Sequence, residues 1–157
     1  MIAERREQLF HAFVEWLPAV LWAVVIYRLS ATPGSQVPTW LPAPLGHFAE
    51  YALLGACLVI PFQRRPLWMA VLIAVVIASA YGVTDEWHQS FVPGRTPDVA
   101  DWAVDTGAAL AGAWFAAWVV ARRARQAAAA RAALATKTAD PTSEPDPDDA
   151  PSGGASA

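Results

Sequence analysis

The sequence predicts an all-α fold, a four-transmembrane-helix bundle with both termini cytoplasmic, and three observations carry that expectation. Apolar residues make up 55% of the 157 and charged residues only 16%, where a soluble domain carries about 25% charged. The apolar residues gather into four runs, Val14–Leu29, His47–Phe62, Leu67–Val83 and Val99–Ala121, each near the ~20 residues needed to cross a ~30 Å hydrocarbon core. Lys and Arg fall almost wholly on one side of the hairpins these runs would form.

Each element has its own justification. Arg5-Arg6 ahead of the first run also suits a signal peptide. No small-x-small site follows it, however, so the run is expected to stay as a membrane helix. S-A-T-P-G-S-Q-V-P-T-W-L-P-A-P-L-G (Ser30–Gly46) reads as a loop by its Pro, Gly and Ser content. Gln63-Arg64-Arg65-Pro66 is a tight polar turn between the second and third runs. The third run is expected to continue as helix through Asp85–Phe91 until Pro93-Gly94 stops it. After Ala121 an Ala/Arg-rich stretch extends the fourth helix to about Thr136. The final eighteen residues, Asp140–Ala157, hold five acids and no base, and their lack of apolar periodicity predicts disorder. The expected division is a membrane domain over residues 1–121 and an extension with a tail over 122–157.

With the N-terminus inside, the inner segments hold Arg5, Arg6, Arg64, Arg65, Arg122, Arg123, Arg125, Arg131 and Lys137, leaving only Arg28 and Arg95 outside. That asymmetry is a positive-inside signal. Trp40, Trp87 and Trp102 would then line the outer interface, and Trp16, Trp68 and Trp118 the inner one. The formal net charge of −3 hides this segregation, and no basic face is broad enough for nucleic acid. The lone Cys57 excludes an internal disulfide and reads as a small packing residue.

The segment T-D-E-W-H-Q-S-F-V-P-G-R-T-P-D-V-A-D-W-A-V-D (Thr84–Asp105) is the main functional signal. A charged side chain costs roughly 2.5–3.5 kcal/mol at the bilayer centre, so ionisable groups near lipid mark candidate sites. Helical spacing puts His47, Glu50, Tyr51, Leu54 and Gly55 on one stripe. Gly82, Asp85, Glu86 and Gln89 fall on a second, and Asp98, Asp101, Asp105 and Ala108 or Gly112 on a third. The three should turn toward one another in the outer leaflet. Simpler readings stand beside this one. His47 and His88 each suit an interfacial position, Asp98 suits an N-cap, and Arg95 suits a structural bidentate pair with the acids. Gly107-x-x-x-Ala111 and Ala108-x-x-x-Gly112 suit close helix packing within the chain.

These residues resemble the VanZ-like family of small bacterial membrane proteins. The resemblance runs from about Tyr27 to Trp114. It rests on Ser30, on G-H-F-A-E-Y-A-L-L-G (Gly46–Gly55), on D-E-W-H-Q-S-F-V-P-G-R-T-P-D-V-A-D (Asp85–Asp101) and on D-T-G-A-A-L-A-G (Asp105–Gly112). Pro44-Leu45-Gly46 stands where such proteins often carry a Lys, and Asp105 where they often carry Asn. The resemblance implies a four-helix integral membrane protein, in a family whose founding member is linked to teicoplanin resistance. It supplies no reaction. A phosphotransbutyrylase label also attached to the family fits poorly, since the chain has no Gly-rich phosphate cradle and no soluble α/β pattern.

Two functional expectations follow. In the first, His47, Glu50, Tyr51, Asp85, Glu86, Gln89, Arg95, Asp101 and Asp105 bind a polar envelope component, with membrane lipids and an envelope glycan or lipid-linked precursor as partners. In the second, the chain is a membrane-embedded hydrolase or transferase. There a carboxylate serves as base, or His47, Glu50, Asp85, Glu86 and His88 hold a divalent metal. No H-E-x-x-H signature and no nucleophilic Ser or Cys is present, so no catalytic residue, resident metal or cofactor is assigned. A proton pathway is a third class, weakened because no charge lies in the inner half of the last three runs. Oligomeric state is left open.

Overall fold

The computed structural model describes residues 2–37 and 42–139. They form α1 (Ile2–Ser30), α2 (Ala43–Val59), α3 (Leu67–Gln89) and α4 (Val99–Ala139), with 3₁₀ turns at Gly34–Gln36 and Ile60–Phe62 and no strand among the described residues. All four helices are long and apolar enough to cross a membrane. The 23 residues of α3 span ~35 Å at 1.5 Å each, enough for the hydrocarbon core. Trp40, expected at an interface, and the acidic tail over 140–157 lie outside the described residues.

The boundaries move where local chemistry overrides hydropathy. α1 begins well before Val14, with Glu4 in its first turn and Arg28 in its last, each opposing the helix dipole. Pro18 sits inside it, a breaker that membrane helices tolerate when neighbours satisfy the backbone. α2 starts four residues before His47, since Pro42 caps it in an extended conformation and Pro44 occupies the first turn, where a missing N–H costs nothing. α3 stops at Gln89, two residues short of the expected Phe91. There the N–H groups of Phe91 and Val92 bond to the carbonyls of His88 and Gln89 three residues back, tightening the last turn. Gly94, at φ +75°, reverses the chain, a conformation glycine adopts without a Cβ clash.

The chain divides into two compact units at Ala121/Arg122. In the second, α4 runs on to Ala139, three residues beyond the expected end, and its side chains from Arg122 to Thr138 are exposed. In the first, helices approach closely over small residues. Ala19, Ala70, Ala74, Ala78, Ala108, Ala109, Ala113 and Ala117 are all buried. A Cβ on Gly55 would run into the Ala109 backbone, and one on Gly112 into that of Ala52. α2 and α4 therefore touch backbone to backbone, the packing that lipid favours when it offers no hydrophobic drive between helices. The Ala108/Gly112 ridge serves within the chain, whereas Gly107 faces open space. Large apolar side chains such as Leu21, Leu72, Leu110 and Trp114 are exposed, as a lipid-facing surface requires.

Polarity is confined to one end. Every buried polar side chain among the described residues (Ser30, His47, Asp85, Glu86, Gln89 and Asp105) lies where α1 and α3 finish and α2 and α4 begin. At the other end Arg64 pairs with Glu15 at 2.8 Å, but Arg64 is 76% exposed, so the pair adds little. Trp22 Nε1 donates to the Glu50 carbonyl at 2.8 Å and the Tyr81 hydroxyl to the Ala23 carbonyl at 2.7 Å, tying α1 to α2 and α3. Trp102, expected at an interface, turns half inward and its indole donates to the Ser79 carbonyl at 3.1 Å.

Gly112→Val and Gly55→Val are each expected to lower stability by about 1–3 kcal/mol through overpacking. Gly107→Ala should be neutral or stabilising by up to ~1 kcal/mol, since alanine has the better helix propensity and its methyl group meets open space there. Thermal unfolding in micelles measures all three, and an equal destabilisation by all of them would contradict the close approach of α2 and α4.

Candidate functional site

The three polar stripes face one another at the polar end. Leu54, Gly55, Gly82 and Ala108 on those stripes are buried between helices, so the residues in register with them point the same way. His47 of α2 and Asp105 of α4 form the central pair, with Nδ1 3.0 Å from Oδ1 and the ring N–H donating to the carboxylate. Asp105 is fully buried and His47 nearly so. Asp101, one turn before Asp105 and only half-buried, places Oδ2 3.9 Å from His47 Nε2, too far for a hydrogen bond. Gly82 makes room for the pair. A Cβ there would stand 3.4 Å from Asp105 Oδ2 and 3.2 Å from the Trp102 ring.

Glu86 of α3 is buried and joins two elements. Its Oε2 accepts the Asp98 backbone N–H at 2.7 Å, and Asp98 Oδ1 accepts the N–H of Ala100 at 2.8 Å. Asp98 is thus an N-cap of α4, the plainer of its two readings. Glu86 Oε1 and Asp105 Oδ2 are both buried and have no hydrogen-bond partner among the described residues. One ligand atom from each of His47, Glu86 and Asp105 lies within 4.8 Å of the other two. That trio differs from the metal set expected from the sequence. Glu50 lines a neighbouring cavity, Asp85 accepts from Gln89 Nε2 at 3.4 Å, and the His88 ring lies on Tyr27 with centroids 4.5 Å apart. The signal for Asp105 as a member was its position inside an apolar run, although a stripe of acids does not reveal which neighbour each will meet.

Beside His47 opens a cavity of about 80 Å³ lined by Leu29, Ser30, Val37, Gly46, His47, Glu50, Gln89 and Arg95. Arg95 does not form the bidentate carboxylate pair expected of it. No carboxylate among the described residues lies within ion-pairing distance, and its Nε donates to the Thr32 carbonyl at 3.4 Å. Three of the acids at this end have other partners. Asp105 is engaged by His47, Glu86 by the Asp98 backbone, and Asp85 by Gln89. The two connecting loops hold Arg95 in place, with Gly34 N–H donating to the Pro93 carbonyl at 3.0 Å and Gly34 against Gly94. Neither glycine announces this contact in the sequence, where both read only as turn residues. Tyr51, the remaining candidate, is fully buried below the cavity, its ring 6.3 Å from that of Tyr81 and its hydroxyl without a partner.

A second, apolar groove of about 310 Å³ is lined by Val83, Pro97, Val99 and Trp102, with Glu86 and Asp98 at its polar margin. Five carboxylates (Glu50, Asp85, Glu86, Asp101 and Asp105) therefore share the polar end with the imidazoles of His47 and His88 and the guanidinium of Arg95. Such an excess of negative charge must be met by protons, a cation or a cationic ligand group.

Asp105→Ala leaves the His47 N–H buried without an acceptor, which costs about 1–3 kcal/mol. Asp105→Asn keeps an acceptor oxygen and is expected to lose less than half as much. Paired thermal melts in micelles test the order, and an Asn variant as unstable as the Ala variant would deny the hydrogen bond its role.

No curated protein and no solved structure is significantly similar to the chain. A family model does match, that of VanZ/LLP1, and it aligns with residues 4–120, taking in all four membrane-length helices and the whole polar end. On that match, the chain is a multi-pass membrane protein belonging to the VanZ/LLP1 family.

Proposed function

We propose that this protein binds the headgroup of an envelope lipid or lipid-linked envelope precursor at the extracytoplasmic face of the cell membrane. One observation carries the reading: Glu50 and Arg95, of opposite charge and not paired with each other, line one small cavity. Among the described residues Glu50 makes no side-chain hydrogen bond, and Arg95 spends only Nε on the protein. An ammonium or hydroxyl group suits Glu50, and a phosphate or carboxylate suits the free end of the guanidinium. Size narrows the ligand. A volume of about 80 Å³ holds roughly six water-sized spheres at ~10–15 Å³ each. Drug-sized ligands occupy ~300–1,000 Å³, so a headgroup fits and a whole glycopeptide does not. A contribution to glycopeptide resistance would then come through the envelope component that is bound.

The sidedness in this proposal rests on the Lys/Arg asymmetry, which puts both termini and the Arg64-Arg65 turn in the cytoplasm. The polar end, with the Gly34–Gln36 turn, then faces outward, and residues 122–157 form a cytoplasmic extension to a membrane domain over 1–121.

A second reading, hydrolysis or group transfer on a lipid-linked substrate, is favoured by one fact. Glu86 borders both the apolar groove and the buried His47–Asp105 pair, the position a general base would need beside a lipid chain.

Titrating purified protein in nanodiscs with phosphoethanolamine, and with a polyprenyl-linked envelope precursor, tests both readings. Binding of at least one is expected. Arg95→Ala and Glu50→Gln should each weaken it about tenfold or more, the worth of a charge-assisted hydrogen bond of ~1.5–3 kcal/mol. Unchanged affinity in both variants would remove this cavity as the site. Mass spectrometry of the same mixtures reports turnover, and an unaltered precursor removes the enzymatic reading. In a Cys57→Ala background, Ser35→Cys should react with an impermeant maleimide on intact cells while Gln63→Cys should not. The reverse pattern would invert the topology.

A further inference from the structure

We infer that His47, Glu86 and Asp105 form a binding site for one divalent first-row metal ion of the Zn²⁺ or Mn²⁺ type, with Asp101 beside it. Three helices each contribute one buried residue, and one ligand atom from each lies within 4.8 Å of the others. Donors bound at ~2.0–2.2 Å to a common ion stand about 3.0–4.2 Å apart, so closure by less than about 1 Å completes the set. The ion would take the place of the proton on His47 Nδ1, 3.0 Å from Asp105 Oδ1, while Asp101 Oδ2 stands 3.9 Å from the other ring nitrogen.

A second observation is independent of this proximity. Glu86 is 8% exposed and Asp105 is 0% exposed, yet among the described residues Glu86 Oε1 and Asp105 Oδ2 have no hydrogen-bond partner. A buried acceptor left without a partner costs ~1–3 kcal/mol and more when charged. Structural carboxylates normally find a donor, as Glu86 Oε2 does in the Asp98 N–H. Of the four buried side-chain atoms without a partner among the described residues, the two carboxylate oxygens belong to the two acids of the trio, and the others are the Tyr51 hydroxyl and His88 Nε2. Ser30 and Gln89 are also buried at this end, but among the described residues neither donates to them.

Charge points the same way. Even a doubly protonated His47 offsets only one of Glu86, Asp101 and Asp105, and the guanidinium of Arg95 is held at the loop by Thr32. A dication between the three elements satisfies both orphaned oxygens at once. The donor set selects its type, because one imidazole with carboxylates suits borderline transition ions, whereas Ca²⁺ prefers an all-oxygen shell. The site does not depend on headgroup capture, whose charged residues, Glu50 and Arg95, are different ones.

Tag-free, full-length protein in micelles, stripped with a chelator and dialysed against Zn²⁺ or Mn²⁺, should retain about one ion per chain and melt at a higher temperature than the stripped form. His47→Gln and Glu86→Gln should each reduce affinity about tenfold or more, as losses of ligating groups do. Glu15→Gln, at the opposite end of the bundle, should bind as wild type. Retention well below one equivalent with no change in melting overturns the inference. So does wild-type affinity in both site variants, or tighter binding of Ca²⁺ than of either transition ion. If neither site variant folds, the wild-type stoichiometry and melting shift decide the question by themselves.

Discussion

The buried pair of His47 and Asp105 is the interaction on which the polar end depends. It links α2 to α4 at 3.0 Å in a position where neither partner can turn to water. In a lipid environment the helices gain nothing from hydrophobic burial against each other, so a short charge-assisted bond and backbone contact must set their register. Both are present on the same faces. Gly55 and Gly112 let α2 and α4 touch below the pair, and that approach brings the imidazole to the carboxylate. Separating the helices by the width of a methyl group would break the bond and leave two polar groups stranded.

Below this level the interior is closed. Ser79 and Thr106 share a hydrogen bond at 2.9 Å near mid-helix, and beyond them the buried side chains are Leu54, Leu58, Val59, Ala70, Val71, Ala74, Ala113 and Ala117. A proton or ion path needs polar groups at both depths, and this core supplies them at one. Among the described residues of the membrane domain, the buried polar side chains are thus gathered at one end of the helices.

The helices and the inward turn of the three stripes were readable from the chain, because lipid makes hydropathy and helical period unusually strong signals. His47, Glu86, Asp101 and Asp105 could be gathered on that ground alone. Pairwise choice could not. Arg95 looked like the natural partner of the acids, but among the described residues its guanidinium stands beyond ion-pairing distance of every carboxylate, Glu50 of the same cavity included, and such distances are not encoded in spacing. The ends of α2 and α3 shifted for a related reason, since Pro44 and the tightened turn after Gln89 are settled by backbone hydrogen bonds rather than by apolar content. Pro18 and Trp22 carried no sequence pattern that marked their roles.

Aspartate at position 105 is the most informative residue of the polar end. An Asn there would still offer the His47 N–H an acceptor oxygen and would add no charge. Aspartate brings a full negative charge into a fully buried position already flanked by Glu86 and Asp101, where charge is costly unless matched. The hydrogen bond to His47 uses one of its oxygens and leaves the other buried without a partner among the described residues. A purely structural role would be served by the neutral residue. The acid makes physical sense where its second oxygen meets something positive, whether a metal ion in the cluster itself or the cationic end of a ligand entering from the cavity above.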